Sequence, residues 1–333
     1  MLLKIILGCL IAIGIAAVLF VCAIFLYIRN ALKGCVDDHS TPLAIHLNED
    51  LAPDWLDHKK CAPILSEFKQ LGFTQGKAYL IEEMDEVKIV SFFNEKYTGT
   101  VYQIENHGFS FEISHVSQNE QIVCVSTTPF SSTFESPPET EKIVMENATV
   151  SEAFKTLDDR CKGEETKALN PEQYRELAET YYKKEQAFRI KNGGVSFEEF
   201  NSIAKADKKK KYTDEQIREA FIESKTDELD TWNEAALEEF FQSNKMTDEE
   251  RYGGGCFLIV PRKTDAEAYV HFLNNYDMIH DDHVDKVGQS VRQDDNIIDL
   301  FARINSARSP ELRAIERGDV TFPVEAKIYQ LAS

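Results

Sequence analysis

The chain has 333 residues, 57 acidic and 37 basic, for a formal net charge of −20. A surface of that sign repels nucleic acid and anionic headgroups, which excludes nucleic acid as a partner. At 43% hydrophobic, with 21 Phe and 12 Tyr, the chain can bury real cores, and its length suggests two or three domains.

The first feature in chain order is an apolar run from Ile5 to Ile28 with no charged residue. As a helix rising about 1.5 Å per residue it reaches roughly 36 Å, enough to cross a ~30 Å hydrocarbon core with some tilt. The expectation is a single-pass membrane anchor over 1–35, with the lipid bilayer as partner and the cell membrane as location. A cleaved signal is the competing reading, but it calls for a shorter apolar region and a small-x-small site that Phe25-Leu26-Tyr27-Ile28-Arg29 does not offer. Leu32-Lys33-Gly34-Cys35 resembles a lipid-attachment box, from which Lys33 departs. Lys4 on one side and Arg29 and Lys33 on the other almost tie under the positive-inside rule, with a slight lean to a cytoplasmic soluble part. Beyond Cys9 and Cys22 in the anchor, Cys35, Cys61, Cys124, Cys161 and Cys256 are widely spaced and form no CxxC, which fits a reducing side. Asn147-Ala148-Thr149 reads as chance before a helix, and as a glycosylation acceptor only in a secretory lumen.

Residues 36–52, with Pro42 and scattered acids, read as a tether. A first domain follows over 53–162. Ile64, Leu65, Phe68 and Leu71 recur at helical spacing, and Gly72 is a natural stop. Strand-like runs come next at Lys77–Ile81, Val87–Phe93, Thr100–Ile104, Phe109–Val116 and Gln121–Thr127, separated by turn chemistry such as Asn106-His107-Gly108. Such short connections favour an antiparallel meander. Thr149-Val150-Ser151-Glu152 opens a closing helix with a capping box, ending near Cys161. A helix, Leu71-Gly72-Phe73, a meander and a helix behind an anchor resemble uncharacterised single-pass bacterial membrane proteins over about 53–160. The resemblance brings no function with it.

The middle segment, 163–252, is helical. Asn170-Pro171-Glu172-Gln173 starts a helix striped with Tyr174, Leu177, Ala178, Tyr181 and Phe188, and Asn192-Gly193-Gly194 ends it. Capping boxes at Ser196–Glu199, Thr213–Gln216 and Thr231–Glu234 predict three more, giving four helices in two pairs. Lys208-Lys209-Lys210-Lys211 reads as a solvated linker.

Asn192-Gly193-Gly194-Val195-Ser196-Phe197-Glu198-Glu199-Phe200 resembles the back half of a loop of the EF-hand family with its exiting helix. The resemblance puts Gly193 at the sharp turn, Val195 at the pairing strand, Ser196 at the ninth loop position and Glu199 at the twelfth. A second hand is implied around Trp232, so that the pair spans about 168–243. Oxygen donors are missing at Phe188 and Ile190 of the first loop. The second has Lys225, Asp227, Leu229, Asp230 and Ala236 where a working loop has ligands and a glycine. Only Asn192, Ser196, Glu199 and the Gly194 carbonyl remain, too few for a cation that takes six to eight oxygens. The expectation is a degenerate, calcium-free EF-hand-like pair or a plain helical bundle.

The last segment, 253–333, begins with Gly253-Gly254-Gly255, read as a hinge, then Cys256–Val260 as a buried strand. Helices follow around Tyr269–Tyr276 and Ile297–Ile304. Ser309-Pro310-Glu311 starts a short third that Gly318 ends, and Val320 to Ile328 alternates as a strand that Pro323 places at an edge and that pairs with Phe257–Val260. Asp277, His280 and His283 would share one helical face, a candidate site for a divalent transition metal beside the reading of a solvated acidic stretch. No nucleophile, dinucleotide or phosphate-loop pattern occurs.

The fold class read from sequence is α+β: an N-terminal transmembrane helix, an antiparallel meander domain with flanking helices, an EF-hand-like or plain helical bundle and a small C-terminal α+β segment. The function read is a membrane-anchored, non-catalytic interaction or scaffold protein with an unknown protein partner and no cofactor, in which Phe240 and Phe241 pack in the bundle or line a partner groove. The alternatives are a metal-responsive binding protein using the Asp277–Asp285 cluster or a cryptic loop site and, behind it, a metal-dependent hydrolase using that cluster.

Overall fold

The computed structural model describes residues 42–104, 108–128, 135–167, 171–206, 212–253, 255–279, 287, 291 and 296–331. The anchor candidate Ile5–Ile28, the box ending at Cys35, Lys208–Lys211, His280 and His283 lie outside the described residues. Among the described residues no helix is long and apolar enough to cross a membrane.

The protein is α+β, built on two sheets. The larger has seven strands in sequence order: β1 (Leu47–Glu49), β2 (Thr74–Ile81), β3 (Met84–Phe93), β4 (Thr98–Ile104), β5 (Gly108–Val116), β6 (Ile122–Ser126) and β7 (Thr140–Val144). Pairing is antiparallel through β6, as the short turns require, and β7 then joins β6 in parallel. Strand alternation gives the sheet two apolar faces. Val90, Phe92, Phe111, Ile113, Val123 and Val125 meet α1 (Cys61–Gln70) and α2 (Val150–Arg160) on one face, around Phe68 and Leu157. Tyr79, Ile89 and Phe93 meet Tyr174, Ala178 and Tyr182 of α3 (Tyr174–Lys191) on the other. Phe68 stacks on Phe92 with ring centroids 4.6 Å apart and runs over Gly99, where a Cβ would collide with its ring. The Thr149–Glu152 capping box is present and starts α2.

Beyond α3 come α4 (Phe197–Ala206), α5 (Asp214–Ser243) and α6 (Asp248–Tyr252). The second sheet, in order β8-β10-β9, consists of β8 (Phe257–Pro261), β9 (Ile315–Val320) and β10 (Ala326–Gln330), all antiparallel. It packs with α7 (Ala266–Asn275) and α8 (Ile297–Ala307). β8 pairs with β10, as the two apolar runs suggested.

Three expectations are corrected. The break at Thr231 is absent: α5 is one helix of 30 residues, and Lys225, Asp227, Leu229, Asp230, Trp232 and Ala236, assigned to a second loop, all lie within it. Trp232 is 1% exposed, and burial of Leu229, Trp232, Ala236, Phe240 and Phe241 against the second sheet outweighs the local capping signal at Thr231. That burial also takes Phe240 and Phe241 away from any groove, and it makes one core of α5 and the C-terminal sheet across the boundary at 252/253. Second, Gly318 does not end a helix; it lies in β9, and the run from Val320 to Ile328 is split around Pro323 into β9 and β10. Third, the tether contains β1: Leu47 is fully buried, and Pro42 accepts a hydrogen bond from the Tyr182 hydroxyl at 2.9 Å. Asp277 stands beyond the end of α7 at φ 56°, and its candidate partners His280 and His283 lie outside the described residues.

Candidate metal centre

His115 is the one position of β5 where the apolar alternation Phe109, Phe111, Ile113 meets a titratable ring. Its side chain therefore points into the face under α2, against the Tyr97 ring at 5.8 Å, and the residue is 1% exposed. Neither ring nitrogen has a hydrogen-bond partner. A buried imidazole must carry a proton on at least one nitrogen, so a donor is left unanswered, and leaving such a group unmade costs about 1–3 kcal/mol.

Two other groups close on that ring. Cys161 caps the end of α2, its N–H donating to the Leu157 carbonyl at 2.9 Å, which holds the thiol at the foot of the helix. The chain then turns through Gly163 (φ 86°), where a side chain would be strained, and brings Glu164 back with its N–H on the Cys161 carbonyl. The strand end is tied to the same segment by Gln118 N–H on the Glu165 carbonyl and Lys167 N–H on the Val116 carbonyl. One ligand atom from each of His115, Cys161 and Glu164 lies within 4.8 Å of the other two, and His115 Nε2 stands 3.6 Å from Glu164 Oε2.

Burial, with the nearby Glu164 carboxylate adding to it, pushes the Cys161 thiol up to about 11. Tyr97 donates to Asp158 at 2.7 Å, and burial together with that bond pushes its hydroxyl up as well. Arg160 forks onto Glu141, with Nε to Oε1 at 3.0 Å and Nη2 to Oε2 at 2.5 Å, and its Nη1 lies 3.6 Å from Glu164. A cavity of about 600 Å³ opens on this side, lined by Ser117, Gln121, Thr140, Glu141, Arg160 and Glu164. Cys161 and His115 do not line it.

An imidazole, a thiol and a carboxylate are the donor types that zinc and its neighbours take. Bonds of about 2.0–2.3 Å in a tetrahedron put donor atoms about 3.3–3.8 Å apart, so the His115–Glu164 separation already fits and the rest need a closure of about 1 Å. Glu164, with its side chain 38% exposed, supplies the entry path. The same three groups are badly placed as a nucleophile and base, because the thiol is buried and protonated and does not line the cavity.

The loop residues singled out by sequence are engaged elsewhere. The Asn192 amide donates to the Phe188 carbonyl at 3.1 Å, closing α3. Ser196 and Glu199 cap α4 reciprocally, and Glu199 also accepts the Glu135 N–H at 2.9 Å. Gly194 (φ 73°) lies against the Lys225 ammonium and the Glu228 carboxylate. Asp277 is described, and its candidate partners His280 and His283 lie outside the described residues. His115, Cys161 and Glu164 were missed, though a histidine in the inward register of an alternating strand was the visible signal.

Comparison with known proteins finds no matching family model, no matching curated protein and no matching solved structure.

Proposed function

We propose that this chain is a membrane-anchored binding protein without catalytic chemistry of its own, responsive to a divalent transition-metal ion held by His115, Cys161 and Glu164. The observation that carries the reading is the buried His115 ring, with two unanswered nitrogens, beside a thiol and a carboxylate. A metal ion held by these residues would answer one nitrogen of His115 and take the thiol as thiolate. The uninterrupted apolar run Ile5–Ile28 supports the anchor.

The experiment is a thermal melt of the full chain in detergent with zinc, cobalt or a chelator, together with the cobalt absorption spectrum. Zinc raises the midpoint, because a ligand binding only the folded state must stabilise it. Cobalt gives a thiolate charge-transfer band that Cys161→Ser abolishes. Glu164→Gln, at the exposed ligand, keeps the fold and weakens both signals. No shift with either ion, or a band that persists in Cys161→Ser, refutes the metal reading and leaves a metal-free interaction protein.

A further inference from the structure

Lys225 is 2% exposed in the middle of α5, yet its charge is fully answered. Nζ donates to the Gly193 carbonyl at 2.5 Å and to the Val195 carbonyl at 3.2 Å, and forms an ion pair with Glu228 one helical turn on. It also stands 5.2 Å from the centroid of the Trp232 ring. An ammonium has three donors and no acceptor, and here three acceptors and an aromatic face meet it. The charge balances too, one cation against one carboxylate. Gly193 and Gly194 both take positive φ, which turns the carbonyls of Gly193 and Val195 toward α5.

We infer that the loop from Asn192 to Ser196 is a cation site that the chain fills with its own Lys225 ammonium, and that the ligand class of this cradle is a primary alkylammonium. A divalent ion is served poorly there. Two carbonyls and one carboxylate fall short of the six to eight oxygens calcium takes, and Ser196 and Glu199 are already used in the α4 cap. The site is independent of the His115 centre. Its effect is to clamp the α3–α4 hairpin onto α5 without a metal.

The test is chemical rescue in the full chain. Lys225→Ala removes the three-carbon stem and the ammonium, which propylammonium can replace. The expected result is a Tm several degrees lower, recovered in good part by propylammonium at tens of millimolar. Propanol, with the shape and no charge, and trimethylpropylammonium, with the charge and no N–H donor, recover nothing. Wild type shows no such response. Recovery by propanol as well, recovery by calcium instead, or no recovery with any amine overturns the inference. Where Lys225→Ala does not fold, the wild type decides. With lysine side chains labelled with nitrogen-15, one ammonium group is protected from solvent exchange, and its resonance disappears in Lys225→Met. Absence of a protected ammonium in wild type overturns the inference equally.

Discussion

Gly194→Ala is the sharpest perturbation of the loop, because neighbouring Gly193 supplies an internal control. Both residues sit at positive φ, 93° for Gly193 and 73° for Gly194. An alanine pays about 1–2 kcal/mol at either position for the left-handed backbone. The surroundings differ. At Gly193 the new methyl meets Lys263 Cγ at 3.2 Å, the stem of an exposed side chain that can swing away. At Gly194 it overlaps Lys225 Nζ and both carboxylate oxygens of Glu228. Those atoms end flexible side chains, but they cannot move without lengthening the bonds from the buried ammonium to Gly193 and Val195. A hydrogen bond to a charged group contributes about 1.5–3 kcal/mol. Gly194→Ala should therefore cost roughly 3–5 kcal/mol and Gly193→Ala about 1–2 kcal/mol. Urea unfolding followed by far-ultraviolet dichroism and Trp fluorescence measures both, with Trp232 reporting directly on the site. Equal losses in the two variants would show that the contact with Lys225 carries no energy, and would refute the reasoning.

Two further outcomes follow from the first domain. Gly99→Ala places a methyl 2.9 Å from Phe68 Cζ and closer still to Cε1, in a ring stack that is fully buried, so overpacking should cost about 1–3 kcal/mol; Tm falls by about 2–4 °C for each kcal/mol, and Phe68→Leu in the same chain restores part of it. A Gly99→Ala protein as stable as wild type would remove Phe68 from the centre of that core. The Cys161 thiol, raised to about 11 from an ordinary value near 9, prefers its protonated form in the folded state. Its contribution is therefore complete below about pH 9 and lost as pH rises through 11, so the metal-free wild type should lose urea resistance over that window more steeply than Cys161→Ser. Parallel pH profiles would show that the thiol is not buried in the apo protein.

Much of the fold was legible because it rests on local signals. The runs at Lys77–Ile81, Val87–Phe93 and Phe109–Val116 alternate, and they form β2, β3 and β5. The boxes at Thr149 and Thr213 start helices where they stand. The same device misled at Thr231, whose hydroxyl bonds to the Asp227 carbonyl inside α5 instead of capping a new helix. A hydroxyl serves either geometry, and only tertiary burial of Trp232 and Leu229 decides between them. β7 was not legible, since a parallel partner across an irregular connection leaves no turn signature, and Thr140–Val144 is too short to alternate convincingly. The His115 centre was hidden for a related reason. Cys161 and Glu164 reach the ring only because α2 ends over β5, a fact of packing that no spacing rule carries.

The two cation-related sites show how an acidic chain settles its buried polar groups in opposite ways. In the helical half, the partly buried Glu228 carboxylate and two turned carbonyls meet an ammonium from the same chain, and all three donors of Lys225 are used. In the sheet half, the chain brings an imidazole, a thiol and a carboxylate together; Arg160 is forked onto Glu141 and reaches the Glu164 carboxylate at 3.6 Å, while both nitrogens of the His115 ring are left without a hydrogen bond. Buried polar groups are satisfied as a rule, and one left open marks where an outside ligand is to be sought. The metal response proposed above is therefore sought at His115 in the meander domain, through the cobalt band that Cys161→Ser removes.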